Sequence, residues 1–285
     1  MRNHHLRVLG ICLLGSMAWV VHAGDAPVRV VALGGDITEI VYALDAQNQL
    51  VGVDSTSLWP EAATKLPDVG YVRQLAAEGV LSLHPQLILA THDAGPATVV
   101  TQLHDAGVRI VSMPVTRTPE TVVAKVKQVG AALDRESAAN ALAAKLQARY
   151  ADLFKAVAAM PRHPRVVFLM SAGEGGPKAA GKDTAADSAI TLAGGVNAGQ
   201  DFTGYKAVSP EALAKLAPDV ILLMREREND VGGVDGVLKL PGIAMTPAGR
   251  ARRIVFVDGQ ALLGFGPRNA EHEQALQRTL VAVQP

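Results

Sequence analysis

Short apolar runs recur along the chain: Val28 to Leu33, Leu50 to Val53, Leu87 to Ala90, Val108 to Ser112, Val166 to Met170, Val220 to Met224 and Ile254 to Val257. Each is four to six residues long, rich in β-branched side chains and bounded by turn residues, which predicts buried strands. Helical patterns lie between them. Asp36, following Gly34-Gly35, is placed to cap a helix running to about Leu44. Thr184 to Leu192 predicts another helix, and Asn269 to Val283 the last. Strands alternating with helices predict parallel sheets covered on both faces.

From Arg135 to Met160 the pattern changes. Neither Gly nor Pro occurs, and Leu142, Leu146, Leu153 and Val157 fall on one helical stripe until Pro161 and Pro164 end it. At 1.5 Å per residue such a helix is nearly ~40 Å long, enough to run from one domain into another. The flanking halves also echo each other. Glu78, Leu83, Pro85 and Leu87 match Glu211, Leu216, Pro218 and Val220 at a constant offset of 133 residues. The fold expected is α/β: two Rossmann-like lobes, each a parallel sheet with flanking helices, joined by one long helix. The boundaries are 24–134 for the N-terminal lobe, 135–160 for the linker helix and 161–285 for the C-terminal lobe. A cleft between such lobes is a natural ligand site.

Residues 1–23 read as a secretory leader, with Arg2 and Arg7 ahead of an apolar segment from Val8 to Val21. Val21-His22-Ala23 supplies the small-x-small cleavage pattern. The segment is shorter than the ~20 residues of a membrane span. The only cysteine, Cys12, lies inside it, so the exported chain has no disulfide, cysteine zinc site or iron–sulfur cluster. Lys and Arg number 27, as do Asp and Glu, and losing the leader's two arginines leaves a small negative excess. That balance gives no footing for nucleic acid. A bacterial periplasm is the compartment these features fit.

Candidate chemistry is sparse. Gly176, Gly181 and Lys182 imitate the spacing of a phosphate loop, but Asp183 stands where a magnesium-binding Ser or Thr is needed. Its carboxylate would repel phosphates, and Asp183 or Thr184 as a helix N-cap is the better account. The histidines outside the leader, His84, His92, His104, His163 and His272, form no metal-ligand pair at helical spacing. No nucleophile–base constellation is visible, so an enzyme is not expected. Tyr71 remains, two residues before Arg73. Phenolate is a hard anionic ligand suited to ferric haem, and an adjacent guanidinium favours its ionised form. On chemistry alone, a half-buried loop tyrosine accounts for the same residues. Trp59 could line a ligand face or pack into the core.

Several segments, taken together, resemble the periplasmic haem-binding proteins of bacterial haem ABC importers, within the helical-backbone class of substrate-binding proteins. They are GYVRQLAAEGVLSLHPQLILA (70–90), AGP (94–96), AGKDTAADSAITLAGGVNA (180–198), VGGVDGVLKLPGIAMTPAGR (231–250) and LLGFGPR (262–268). The resemblance implies haem b as transported ligand, Tyr71 as axial iron ligand and Arg73 beside it. It implies a second-lobe residue near the iron, for which Arg225 and Arg227 are candidates. The loop from Ser171 to Lys178 has no histidine, so five-coordinate iron is expected. It also implies that Glu78 and Glu211 dock the two lobes on an inner-membrane permease dimer with its ATPase, and that the carrier is a monomer. Within the same fold the alternative ligand is a corrinoid or ferric siderophore, with Tyr71 then only a wall residue.

Overall fold

The computed structural model describes residues 27–114, 117–171 and 176–283; the predicted leader, its Cys12 and Gly175 of the loop-like motif lie outside them. Four strands form the first sheet: β1 (Val30–Leu33), β2 (Leu50–Val53), β3 (Leu87–Thr91) and β4 (Arg109–Met113). Their order is β2-β1-β3-β4 and every pairing is parallel. Strand β1 is central and buried along its whole length, which is why its sequence is apolar without alternation. Helices α1 (Gly35–Ala43), α2 (Ala77–Leu81), α3 (Ala97–Asp105) and α4 (Pro119–Ala132) complete this lobe.

Asp36 does not cap α1. The N-cap is Gly34, at φ 131°, and Asp36 lies in the first turn, buried and ion-paired with Lys125 of α4. The turn is instead secured from the end of β2: Gly34 N–H donates to Asp54 Oδ1 at 2.9 Å and Gly35 N–H to Thr56 Oγ1 at 3.0 Å. A Cβ on Gly35 would lie 2.4 Å from the Thr56 carbonyl oxygen, so this close approach needs glycine.

Helix α5 (Glu136–Ala158) spans 23 residues and passes between the lobes. Its buried seam is Ala139, Ala143, Leu146, Tyr150 and Leu153; Leu142 and Val157 of the predicted stripe pack at its margin. The seam is rotated toward alanines because α4 comes very close. A Cβ on Gly130 would lie 2.3 Å from that of Ala139.

The second lobe holds β5 (Arg165–Ser171), β6 (Lys178–Ala180), α6 (Ala185–Leu192), β7 (Val196–Asn197), β8 (Tyr205–Ala207), α7 (Pro210–Leu216) and β9 (Val220–Met224). It continues through α8 (Gly233–Leu238), α9 (Pro247–Arg250), β10 (Ile254–Val257), α10 (Gly259–Leu263) and α11 (Asn269–Ala282). Strand order is β10-β9-β5-β6-β8, with β7 also on β5. The β10–β9–β5 core is parallel, whereas β6 and β8 add antiparallel strands, so this sheet is mixed. These two strands are three residues each and too polar to register as apolar runs. The phosphate-loop imitation is spent here: its residues form β6 and the turn into α6, where Thr184 accepts from Asp187 N–H at 3.0 Å as the N-cap.

The internal echo is structural. Arg29, ahead of β1, donates through its guanidinium to Leu83 O at 2.6 Å, and its N–H donates to Gln86 Oε1 at 2.9 Å. Arg165, opening β5, donates to Leu216 O at 3.0 Å and its N–H to Asp219 Oδ2 at 2.9 Å. His84 (φ 47°) and Ala217 (φ 45°), also 133 apart, both take the left-handed turn after their helices. One continuous apolar core runs from the first sheet through α4, α5 and α11 into the second. Among the described residues, no helix is long and apolar enough to cross a membrane.

Candidate functional site

A cleft of about 690 Å³ opens between the lobes. Carboxyl ends of strands feed it, as the parallel α/β plan dictates. From the first lobe come Gly34 and Gly35 after β1, Thr56 after β2, Thr91 and Asp93 at the end of β3, and Arg117 after β4. From the second come Met170, Met224, Gly259 and Tyr205.

Tyr71 is not itself among the lining residues but directly precedes Val72 and Arg73, which are, in a loop at the cleft's edge. The loop is stitched to the turn after β3: Gly95 N–H donates to Val72 O and Leu75 N–H to Gly95 O, each at 2.9 Å. The phenol is 38% exposed. Arg73 Nη1 donates to its oxygen, and the guanidinium carbon lies 5.6 Å from the ring centroid. On its other side Arg73 Nε donates to Asp93 Oδ2 at 2.7 Å, and Nη2 closes on the same oxygen. Burial works against the charge on Arg73, but its bonds to Asp93 and Tyr71 outweigh that and raise its pKa. Burial likewise pushes Asp93 up, yet Thr91 and Arg73 hold its carboxyl below the usual range. The result is a fixed relay, carboxylate to guanidinium to phenol, presenting an oxygen ligand beside a permanent cation.

The other predicted residues separate. Arg227 lines the cleft and reaches Asp230 at 3.3 Å. Arg225 does not line it: its Nη2 donates to the Phe256 carbonyl at 2.8 Å. Trp59 is 49% exposed and lies under the Arg268 guanidinium, 4.7 Å from its ring centroid. Glu78 and Glu211 sit exposed in the first turns of α2 and α7, away from the cleft. Among the described residues no histidine lines the cleft, and no group of His, Cys, Asp and Glu is gathered for a bare metal ion.

The cleft floor contains residues the sequence reading passed over. Buried Lys125 is paired with Asp36, and its one available signal was a lysine set among the buried valines of α4. Gln260 bridges the lobes, donating to Gly35 O at 3.1 Å and Glu39 Oε1 at 2.8 Å and accepting from Leu58 N–H at 2.9 Å. Arg268 donates to Glu39 Oε1 and Asp258 Oδ2, both at 2.6 Å. Tyr205 enters from β8 with no motif around it to flag it.

Comparison with known proteins places this architecture. The family model described as periplasmic binding protein matches residues 30–261, so the chain belongs to that family. Among solved structures, "Periplasmic heme-binding protein RhuT from Roseiflexus sp. RS-1 in apo form" is 38% identical with a TM-score of 0.85, covering 90% of this chain and 99% of that one. "Periplasmic heme-binding protein BhuT in complex with two hemes" is 41% identical, also at 0.85, covering 90% and 98%. Among sequence relatives, a "Vitamin B12-binding protein" of Pectobacterium atrosepticum is 27% identical, covering 75% of this chain and 77% of its own length. The chain is a binding protein of the two-lobed kind, not an enzyme.

Proposed function

We propose that this member of the periplasmic binding protein family carries ferric haem in its inter-lobe cleft and delivers it to an inner-membrane ABC importer. Tyr71 is the axial iron ligand, with Arg73 stabilising its phenolate and Asp93 fixing Arg73. The observation that carries this reading is the Asp93–Arg73–Tyr71 relay at the cleft rim. The two haem-binding relatives above support the choice of ligand, which we take to be haem b. We take the iron to be five-coordinate: among the described residues no histidine lines the cleft. Residues 1–23 direct the chain to the periplasm, where it works as a monomer. Residues 24–134 and 161–285 are the two lobes and 135–160 the link between them. Glu78 and Glu211 meet the two permease subunits, whose ATPase drives release of the haem.

A second reading has its own support in the vitamin B12-binding relative: a corrinoid in the same cleft, with Tyr71 only part of the wall. Competition decides between them. The purified exported chain is titrated with hemin and with cyanocobalamin. We expect hemin to bind at least ~100-fold more tightly, a gap of about 2.7 kcal/mol. Tight cyanocobalamin binding without hemin binding would replace the haem reading by the corrinoid one.

A further inference from the structure

The charges of the cleft do not all cancel locally. Lys125 is neutralised by Asp36, Arg73 by Asp93, and Arg227 reaches Asp230. Arg117 lines the same cleft from the first lobe and, among the described residues, has no carboxylate partner. Across from it stands Tyr205, on the antiparallel strand that the second lobe adds to its sheet. Tyr205 is 37% exposed in a chain with few aromatics. Its phenol is set against the first turn of α6, where the Ala186 N–H and the Thr184 hydroxyl act on its oxygen. Burial raises its pKa and keeps it a neutral O–H donor, while the positive charges of Arg117 and Arg73 reach it from the other lobe.

A guanidinium with no carboxylate partner among the described residues, sharing a cleft with a protonated phenol from the other lobe, suits a carboxylate. We propose that Arg117 and Tyr205, from opposite walls of the cleft, form a subsite that holds one carboxylate side chain of a bound tetrapyrrole. The proposal rests on the haem reading and deepens it: Tyr71 takes the metal, and this pair takes an acidic edge of the ring. Because its halves come from different lobes, the ligand's carboxylate bridges them. Besides Asp36 and Asp93, two further carboxylates line the cleft among the described residues. Glu226 is occupied in accepting the Gly259 N–H at 3.0 Å, and Asp183 is solvent-exposed. Neither supplies Arg117 with a counter-ion.

The test pairs two ligands with two variants. Hemin and hemin dimethyl ester, whose carboxylates are masked, are titrated into the wild-type exported chain, Arg117→Ala and Tyr205→Phe. Wild type should bind the ester about tenfold more weakly than hemin, the scale of one charge-assisted bond. Arg117→Ala should lose about tenfold on hemin, and Tyr205→Phe roughly three- to fivefold. Both should match wild type on the ester, with the iron spectrum and melting temperature unchanged. Asp183→Asn should bind hemin as well as wild type or better. Equal losses on acid and ester, or no loss on either, overturn the subsite and leave the haem reading standing. Failure of the wild-type protein to bind hemin at all overturns both.

Discussion

Arg73 holds two oxygen acceptors at once, the Tyr71 phenol and the Asp93 carboxylate, and so cannot swing away without breaking charged bonds on both sides. Asp93 was visible in the sequence only as the neighbour of His92, because its role depends on β3 ending beside the Tyr71 loop. The contact between Tyr71 and Arg73 was legible from their spacing and from the family-like segment around them. Arg117 and Tyr205 were not, since a lone arginine and a lone tyrosine acquire meaning only when two lobes face them toward each other. A different residue reports on the protein's interior. Glu273 is fully buried, receives a bond from Asn269 Nδ2 at 3.2 Å through Oε1, and among the described residues has no partner for Oε2. Burial raises its pKa well above the carboxylate range, and the Asn269 bond only partly opposes that. Its folded pKa therefore exceeds its unfolded one. Stability from this group is full below the unfolded value, near ~4.3, and is lost as pH rises toward the folded value. Glu273→Gln removes that slope. Melting curves should show the variant gaining on wild type from pH 5 to pH 8, by about 1–2 kcal/mol or roughly 3–6 °C. A constant difference across that range would refute the assignment.

At the scale of elements, the apolar runs of four to six residues translated directly into parallel strands, most of them buried and β4, at the sheet edge, only partly so. The short strands β6 and β8 did not, because three polar-leaning residues carry no period. The seam of α5 was displaced from the leucine stripe because Gly130 of α4 admits its alanines at close range. The same helix is anchored to α11 by buried Tyr150, which donates to Asn269 Oδ1 at 2.9 Å. Helices α2 and α7 are related by the 133-residue echo, and in both lobes an arginine at the head of the first strand braces the chain where the helix ends. Two equivalent, rigidly held helices each show one exposed glutamate, as a partner with two related subunits would require. Charge reversal of both, Glu78→Lys with Glu211→Lys, should cut haem uptake at least ~tenfold while leaving hemin affinity within twofold, because rim charges govern docking. Loss of hemin affinity in that double variant, or unimpaired uptake, would remove the docking role.

For the whole molecule, the two-lobed plan was the most legible feature, carried by the strand–helix alternation, the uninterrupted helix and the repeat. What joins the lobes at the cleft floor was not. Gln260 and Arg268 reach Gly35, Glu39 and Leu58 across more than two hundred residues of sequence, a convergence no local pattern encodes, and Arg268 also holds nearby Asp258. Together with the shared core around α5, these bonds tie the two lobes together beside the cleft. A carrier of this kind needs a strong but reversible hold on its cargo, and in the function proposed here a single phenolate on the metal would supply it. The visible absorption spectrum of the hemin-loaded protein beside Tyr71→Phe tests that hold most directly. The account predicts a high-spin ferric spectrum with a tyrosinate-to-iron charge-transfer band in the wild type. In the variant that band is absent, and affinity drops by at least about tenfold, the loss of one strong ligand interaction. An identical spectrum and affinity in the two proteins would contradict it.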